Sequence, residues 1–291
     1  MSLSADEIAN HPRLVPCIRE QASTLLSLQA TNPRLAAVFA TQQRWLMAHT
    51  ALAHYFRSAG GGGLRAAKFI DAIASLGVAS RNTADSFLKE MRQYGHLQNA
   101  PAARDRRARP LEPTAVSLEM ICAWLATHLA TLDALDGGGR RAVFAARPQS
   151  IAAIQPLIAD GLLRSSAIRE PAPAFSLFTW LNEGGVVMDW LYVGLAEVAP
   201  GSERIPSTVS SFADLGERIN LSRTHLTRKL RRAEEMGSLG WLGERGKSTM
   251  WVSSGFVGEY HNQQAVKLAI IDGAFWAAVG GQAISAGQVD P

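Results

Sequence analysis

Along most of the chain, apolar residues return every three to four positions, the spacing of a helix with one buried face. This pattern predicts long helices over 33–58, 114–135, 175–198 and 255–279, and shorter ones over 64–76 and 208–219. Two more helices begin at Ser80 and Ser222. Plotted at about 100° per residue, the later one gathers Leu226, Leu230 and Ala233 on one side, while Thr224, Thr227, Arg228 and Arg231 point away. The earlier one sets Ala84, Leu88 and Met91 against Asn82, Asp85, Ser86 and Lys89. Each is followed by a short strand signal, a polar tip and a return, "HLQNAPAARDRRARPLEP" and "SLGWLGERGKSTMWVSS". The expected fold class is mostly α, with two small hairpins.

These stretches form a repeat. Ser80 and Ser222 are 142 residues apart, and the same offset relates Arg81 to Arg223, Leu88 to Leu230, Gly95 to Gly237 and Leu97 to Leu239. Extended into the hairpin, it pairs Arg109 with Trp251. Upstream the offset becomes 143, pairing Phe69 with Phe212, Leu76 with Ile219 and Gly77 with Asn220. The matched positions are a serine N-cap, a core leucine and a glycine stop, where structure restricts residue choice most. Helix, turn, helix and hairpin therefore occur twice, as two winged helix-turn-helix units joined by a helical body. The glycine-rich, basic segment 136–150 is the candidate junction, dividing the chain into 1–140 and 141–291, and "AGGGG" at 59–63 reads as a flexible connection.

The segment "ARDRRARPLEPTA", an aspartate and arginines leading into a strand and a long helix, resembles the wing of the MarR family of bacterial regulators. The family's order of long helix, helix-turn-helix, wing and long helix covers most of 33–135 and, more loosely, 175–279. The second copy's "GERGKST" lacks the aspartate-arginine pair. Family members are usually homodimers of single-copy chains, so the resemblance implies a dimer fused into one polypeptide, a transcriptional regulator of double-stranded DNA. It also implies a small-ligand crevice between the dimer-forming helices and the winged units.

Charge distribution agrees with a polyanionic partner. Residues 81–109 carry seven Lys or Arg against three acids and 214–247 carry eight against five, so the two stretches are together net +7 in a chain of formal charge +4. Arginine can bind guanine bidentately, and threonine can donate to phosphate or touch a thymine methyl. The DNA-binding candidates are Arg223, Thr224, Thr227, Arg228 and Arg231 in the second copy, and Arg81, Asn82, Ser86, Lys89, Arg106 and Arg107 in the first. Asp85 would repel phosphate there. The competing reading of such charge runs is a solvated face on a scaffold that binds protein.

Catalytic signatures are lacking: the seven histidines show no H-E-x-x-H spacing, and neither G-x-S-x-G nor a phosphate-binding G-x-x-x-x-G-K-[ST] occurs. No enzyme, metal site or cofactor is expected, and His128 reads as a packed helix residue. The aromatic set Trp45, Tyr55, Phe56, Phe175, Phe178, Trp180, Trp190 and Tyr192 reads as core. Two cysteines, Cys17 and Cys122, suit a reducing cytosol. With no secretory signal, and with Glu183, Asp189, Glu197, Lys267 and Asp272 interrupting the most apolar stretches, a cytoplasmic protein without membrane spans is expected.

Overall fold

The computed structural model describes residues 2–31, 41–58, 63–100, 110–179, 184–199, 201–208 and 223–286, and for 223–226, 229 and 281–286 it describes the backbone alone. The protein is mostly helical with few short strands. The described elements open with α1 (Ala5–Ala9), α2 (Leu14–Thr31), α3 (Gln42–Arg57), α4 (Ala66–Ser75), α5 (Arg81–Gln93), β1 (Leu97–Asn99) and β2 (Leu111–Pro113). Next come α6 (Ala115–Asp136), α7 (Arg140–Ala146), α8 (Ile151–Arg164), α9 (Ser166–Arg169), α10 (Pro173–Thr179) and α11 (Gly184–Val193). The rest are β3 (Arg204–Pro206), α12 (Arg223–Glu235), β4 (Leu239–Trp241), β5 (Met250–Ser253) and α13 (Ser254–Ala286). The helix expected over 208–219, the turn at Asn220, the cap Ser222, and most of "AGGGG" lie outside the described residues.

Two compact units form, each from separated stretches: Met1–Ile8, Gln43–Arg169 and Val266–Pro291 make the first, and Ala9–Gln42 with Glu170–Ala265 the second. The sequence reading divides the chain consecutively at 140, whereas the units interleave. Helix α2, ahead of the first copy, belongs to the second unit, and α8, ahead of the second copy, belongs to the first.

In the first unit, α4 and α5 bury Phe69 and Ile73 with Ala84, Phe87, Leu88 and Met91, and the Phe69 and Phe87 rings stack at 6.2 Å. Gly77, at φ +66°, makes the left-handed turn between them. Ser80 caps α5 by accepting the Thr83 N–H at 3.2 Å, leaving one fewer orphan donor at the helix start. Antiparallel pairing of β1 with β2 follows, Leu97 opposite Pro113. Leu64 adds a bridge to this hairpin, its N–H donating to the Leu111 carbonyl at 2.7 Å.

The segment 136–150, expected as a junction, lies within the first unit and includes α7. Gly137, at φ +75°, ends α6, and Asp133 accepts the backbone N–H groups of Arg140 and Arg141 at 2.9 Å each, capping α7. Arg140 is only 1% exposed. Its guanidinium meets Asp136 at 2.7 Å, the fully buried Asp272 at 2.6 Å and Asp133 at 3.3 Å. By length and composition alone α6 could cross a membrane; it also carries buried His128 and Thr131 among its leucines.

The second unit packs α2 against α11, with Arg19 donating to the Leu195 carbonyl at 3.1 Å and Gln21 to Gln264 at 3.0 Å. A three-stranded antiparallel sheet in the order β3-β5-β4 stands beside α12. Leu230 and Ala233 are buried, as are Leu239, Met250 and Val252 of the sheet. Gly240 lies opposite Trp251, and a Cβ there would meet the indole at 2.5 Å, so the close crossing needs glycine.

Corresponding elements keep register. Both ends of α5 and α12 differ by 142 residues, as do those of β1 and β4. The return strands do not. Leu97 faces Pro113 and Leu239 faces Val252, an offset of 139, so Trp251 corresponds to Glu112 and not to Arg109. The second hairpin is shorter by three residues, and the new offset carries on to the starts of α6 at Ala115 and α13 at Ser254. Upstream, the Ser207 N–H donates to the Met250 carbonyl at 2.7 Å as Leu64 does to Leu111, which reproduces the offset of 143.

Candidate nucleic-acid interface

Positions of the candidates follow from the buried sides of α5 and α12. With Ala84, Phe87, Leu88 and Met91 inward, α5 presents Arg81, Asn82, Ser86 and Lys89 to solvent, and Asp85 stands half-exposed among them. With Leu230 and Ala233 inward, α12 presents Arg228, Arg231 and Arg232 outward, and Thr227 is half-buried. Arg106 and Arg107 lie outside the described residues, as do the side chains of Arg223 and Thr224 and that of Leu226.

Both helices carry ion pairs. On the first, Lys89 pairs with Asp85 at 2.7 Å and Arg81 with Asp71 at 2.6 Å, so both candidate cations already hold carboxylates. Arg44 of α3 also reaches Glu90 at 2.5 Å and lies over the Phe87 ring at 5.6 Å, fastening α5 from behind. Gln43 donates to the Val78 carbonyl at 2.8 Å and Arg169 to the Leu76 carbonyl at 2.8 Å, which fixes the turn ahead of the helix. On the second, the acids come late: Arg232 approaches Glu235 at 3.6 Å, at the end of the helix.

Glu234 has a role that the sequence did not disclose. It accepts the Trp241 indole N–H at 2.6 Å and the Arg245 Nε at 2.9 Å, tying the end of α12 to the hairpin. Its position seven residues before a tryptophan is the one sequence cue, and it is a faint one. Beyond Trp241 the tip exposes Leu242, and Lys247 pairs with Glu244 at 2.7 Å. On the other side of the sheet, Arg204 stacks over the Trp251 ring at 4.7 Å.

His128 is packed, its Nδ1–H donating to the Trp124 carbonyl at 2.7 Å. His49, also buried, accepts from Gln155 Nε2 at 2.8 Å. Burial, helped by the Lys267 charge, holds His49 down to about 3 and His128 well below the usual histidine value. Phe175, Phe178 and Tyr192 are core residues, while Trp45, Tyr55, Phe56 and Trp190 are half-buried and Trp180 lies outside the described residues. Among the described residues, no three His, Cys, Asp or Glu are grouped to hold a metal ion. No protein-family model, no curated protein and no solved structure matches this chain.

Proposed function

We propose that this chain is a sequence-specific DNA-binding transcriptional regulator of the cytoplasm, MarR-like in plan, with two winged helix-turn-helix copies fused in one polypeptide. Double-stranded DNA is its partner, a small molecule its effector, and a homodimer would cover two sites. The observation that carries this is the outer face of α12, where Arg228 and Arg231 stand exposed opposite buried Leu230 and Ala233. A helix so disposed offers cations to phosphate and guanidinium forks to base edges, while the hairpin fastened by Glu234 would follow the neighbouring backbone. The shared register of α5 with α12 and of β1 with β4 supports the duplication.

Selection of bound sequences from randomised duplex DNA tests the proposal, and enrichment of a motif is expected. Arg228→Ala should weaken specific binding by about 1–3 kcal/mol if it reads a base, or reduce the salt slope by about one if it holds phosphate. Absence of affinity for any duplex would favour a winged-helix scaffold that binds protein. That second reading draws on Tyr94 and Met236, which are 52% and 40% exposed at equivalent helix ends.

A further inference from the structure

The first-copy helix α5 and the second-copy helix α12 have the same length and register, yet differ in how basic they are. Across its thirteen residues α5 carries three cations against two acids, and α12 five against two. Among the candidate contacts the contrast sits at Asp85, Ser86 and Lys89, which occupy the places of Thr227, Arg228 and Arg231; later in the helix Glu90, which binds Arg44, stands where Arg232 does. In α5 the Lys89 ammonium is held by Asp85 one turn earlier, at 2.7 Å. An exposed pair of this kind contributes little stability and could open at small cost. Opening it would still leave a carboxylate on the face that must enter the groove, against phosphates spaced about 1.7 Å apart along the duplex axis. At the next position Ser86 has neither the charge nor the bidentate fork of Arg228.

Arg81 and Arg223 do not discriminate between the copies. Asp71, which holds Arg81 at 2.6 Å, has an aspartate at its equivalent in the second copy, Asp214. Among the candidate contacts in the first half of each helix, the difference in charge therefore rests on Asp85 and Ser86.

On the reading that the chain binds DNA, we propose that only the second copy reads sequence: α12 is the base-reading helix, and α5 is kept out of base readout by Asp85 and Ser86. The site in DNA then has one informative block, read by one helix, and flanking sequence bound without base preference. Asp85 and Ser86 are specificity-determining residues in the negative sense.

The test is selection from randomised duplex DNA with the full chain, followed by titration of the selected duplex over a range of salt. A single informative block is expected. The combined substitution Asn82→Ala, Ser86→Ala and Lys89→Ala should leave the motif unchanged and the affinity within about threefold, whereas Arg228→Ala should cut discrimination within the block by about 5- to 150-fold. Asp85→Thr with Ser86→Arg, which gives α5 the residues of α12, should steepen the salt slope by about one to two and add informative positions outside the block. All of these positions are on the surface, and unchanged thermal unfolding confirms that each variant is folded. Two informative blocks selected by the wild-type chain, or loss of part of the motif in the Ala variants of α5, would overturn the proposal while leaving DNA binding intact. An unaltered slope and motif in the Asp85→Thr, Ser86→Arg variant would overturn the assignment to those residues. If the wild-type chain bound no duplex at all, the DNA-binding reading itself would fall.

Discussion

The Trp241 indole N–H donates to Glu234 Oε1 at 2.6 Å, joining the last turn of α12 to the first strand of its hairpin. Arg245 adds a second bond to the same carboxylate from the hairpin tip, at 2.9 Å. A hydrogen bond to a charged, largely buried acceptor contributes about 1.5–3 kcal/mol, and the half-exposed Arg245 less than about 1. Glu234→Ala should therefore lower stability by about 2 kcal/mol, and Glu234→Gln, which keeps the acceptor for Trp241, by under about 1 kcal/mol. Urea unfolding followed by tryptophan fluorescence separates the two, and equal losses would show that the indole bond contributes nothing.

Arg140 is the buried centre of the first unit, with carboxylates of Asp133, Asp136 and Asp272 around it. Its guanidinium pulls the Asp136 carboxyl below the usual carboxylate value. Removing it leaves Asp272, fully buried, without its cation. Arg140→Met should cost about 3–5 kcal/mol, the scale for breaking a buried pair from one side. The Asp136 contribution is present above the unfolded carboxyl value and is lost as pH falls through the lower folded one. Arg140→Met should thus remove part of the acid sensitivity below the unfolded carboxyl value of about 3.9, measurable as a smaller fall in melting temperature on acidification.

Much of this fold was legible from spacing, and what escaped did so for physical reasons. The stop glycines Gly95 and Gly237, at φ +76° and +68°, and the cap Ser80 were visible because backbone geometry restricts those positions to few residues. The hairpin return was misaligned because a loop can lose three residues at little cost, so pairing Arg109 with Trp251 carried no structural information. Arg140 looked like linker charge: two of its acids are nearby in sequence, but Asp272, which makes its burial tolerable, lies 132 residues away. The candidate site was legible as faces, since Leu230 and Ala233 fix what points out. Its pairings were not, because Lys89 with Asp85 is an i, i+4 contact that sequence suggests and only geometry selects.

Two buried neutral histidines make the first unit sensitive to mild acid. His49 lies between Trp45 and Trp124, at 4.6 and 5.0 Å, and His128 lies tilted against Trp124 at 4.2 Å. Both must stay neutral in the folded state but can protonate once unfolded. Stability is therefore full above about pH 6.5 and falls by about 1.4 kcal/mol per pH unit for each histidine below it. For His49 the decline runs down to its folded value of about 3. His54 and His261 are lowered by burial too, so His49→Gln with His128→Gln should reduce the slope between pH 6.5 and 5 without abolishing it. Flat unfolding free energies across this interval in the wild-type chain would show that the rings are reached by water.

The make-up of the two units limits where the chain can be cut. A consecutive division into 1–140 and 141–291 follows the repeat, but the first unit draws α8 and the end of α13 from the later half. In a fragment of 1–140, His49 loses Gln155, Arg57 loses Asp160 at 2.7 Å, and Arg140 loses Asp272. Apolar burial is lost as well, since Ile154, Ile158 and Leu162 of α8 and Phe275 of α13 are core residues, each contributing about 1.5–3 kcal/mol when buried. That loss, about 6–12 kcal/mol before the unpaired buried polar groups are added, is comparable to the whole stability of an ordinary domain, about 5–15 kcal/mol. Fragment 1–140 should therefore be helical but without cooperative melting, and it should bind a hydrophobic dye. Co-expression with 141–291 should restore a single cooperative transition, because the missing helices return without a covalent link. A fragment 1–140 that melts cooperatively near the temperature of the full chain would show that the repeat, and not the interleaved unit, is what folds.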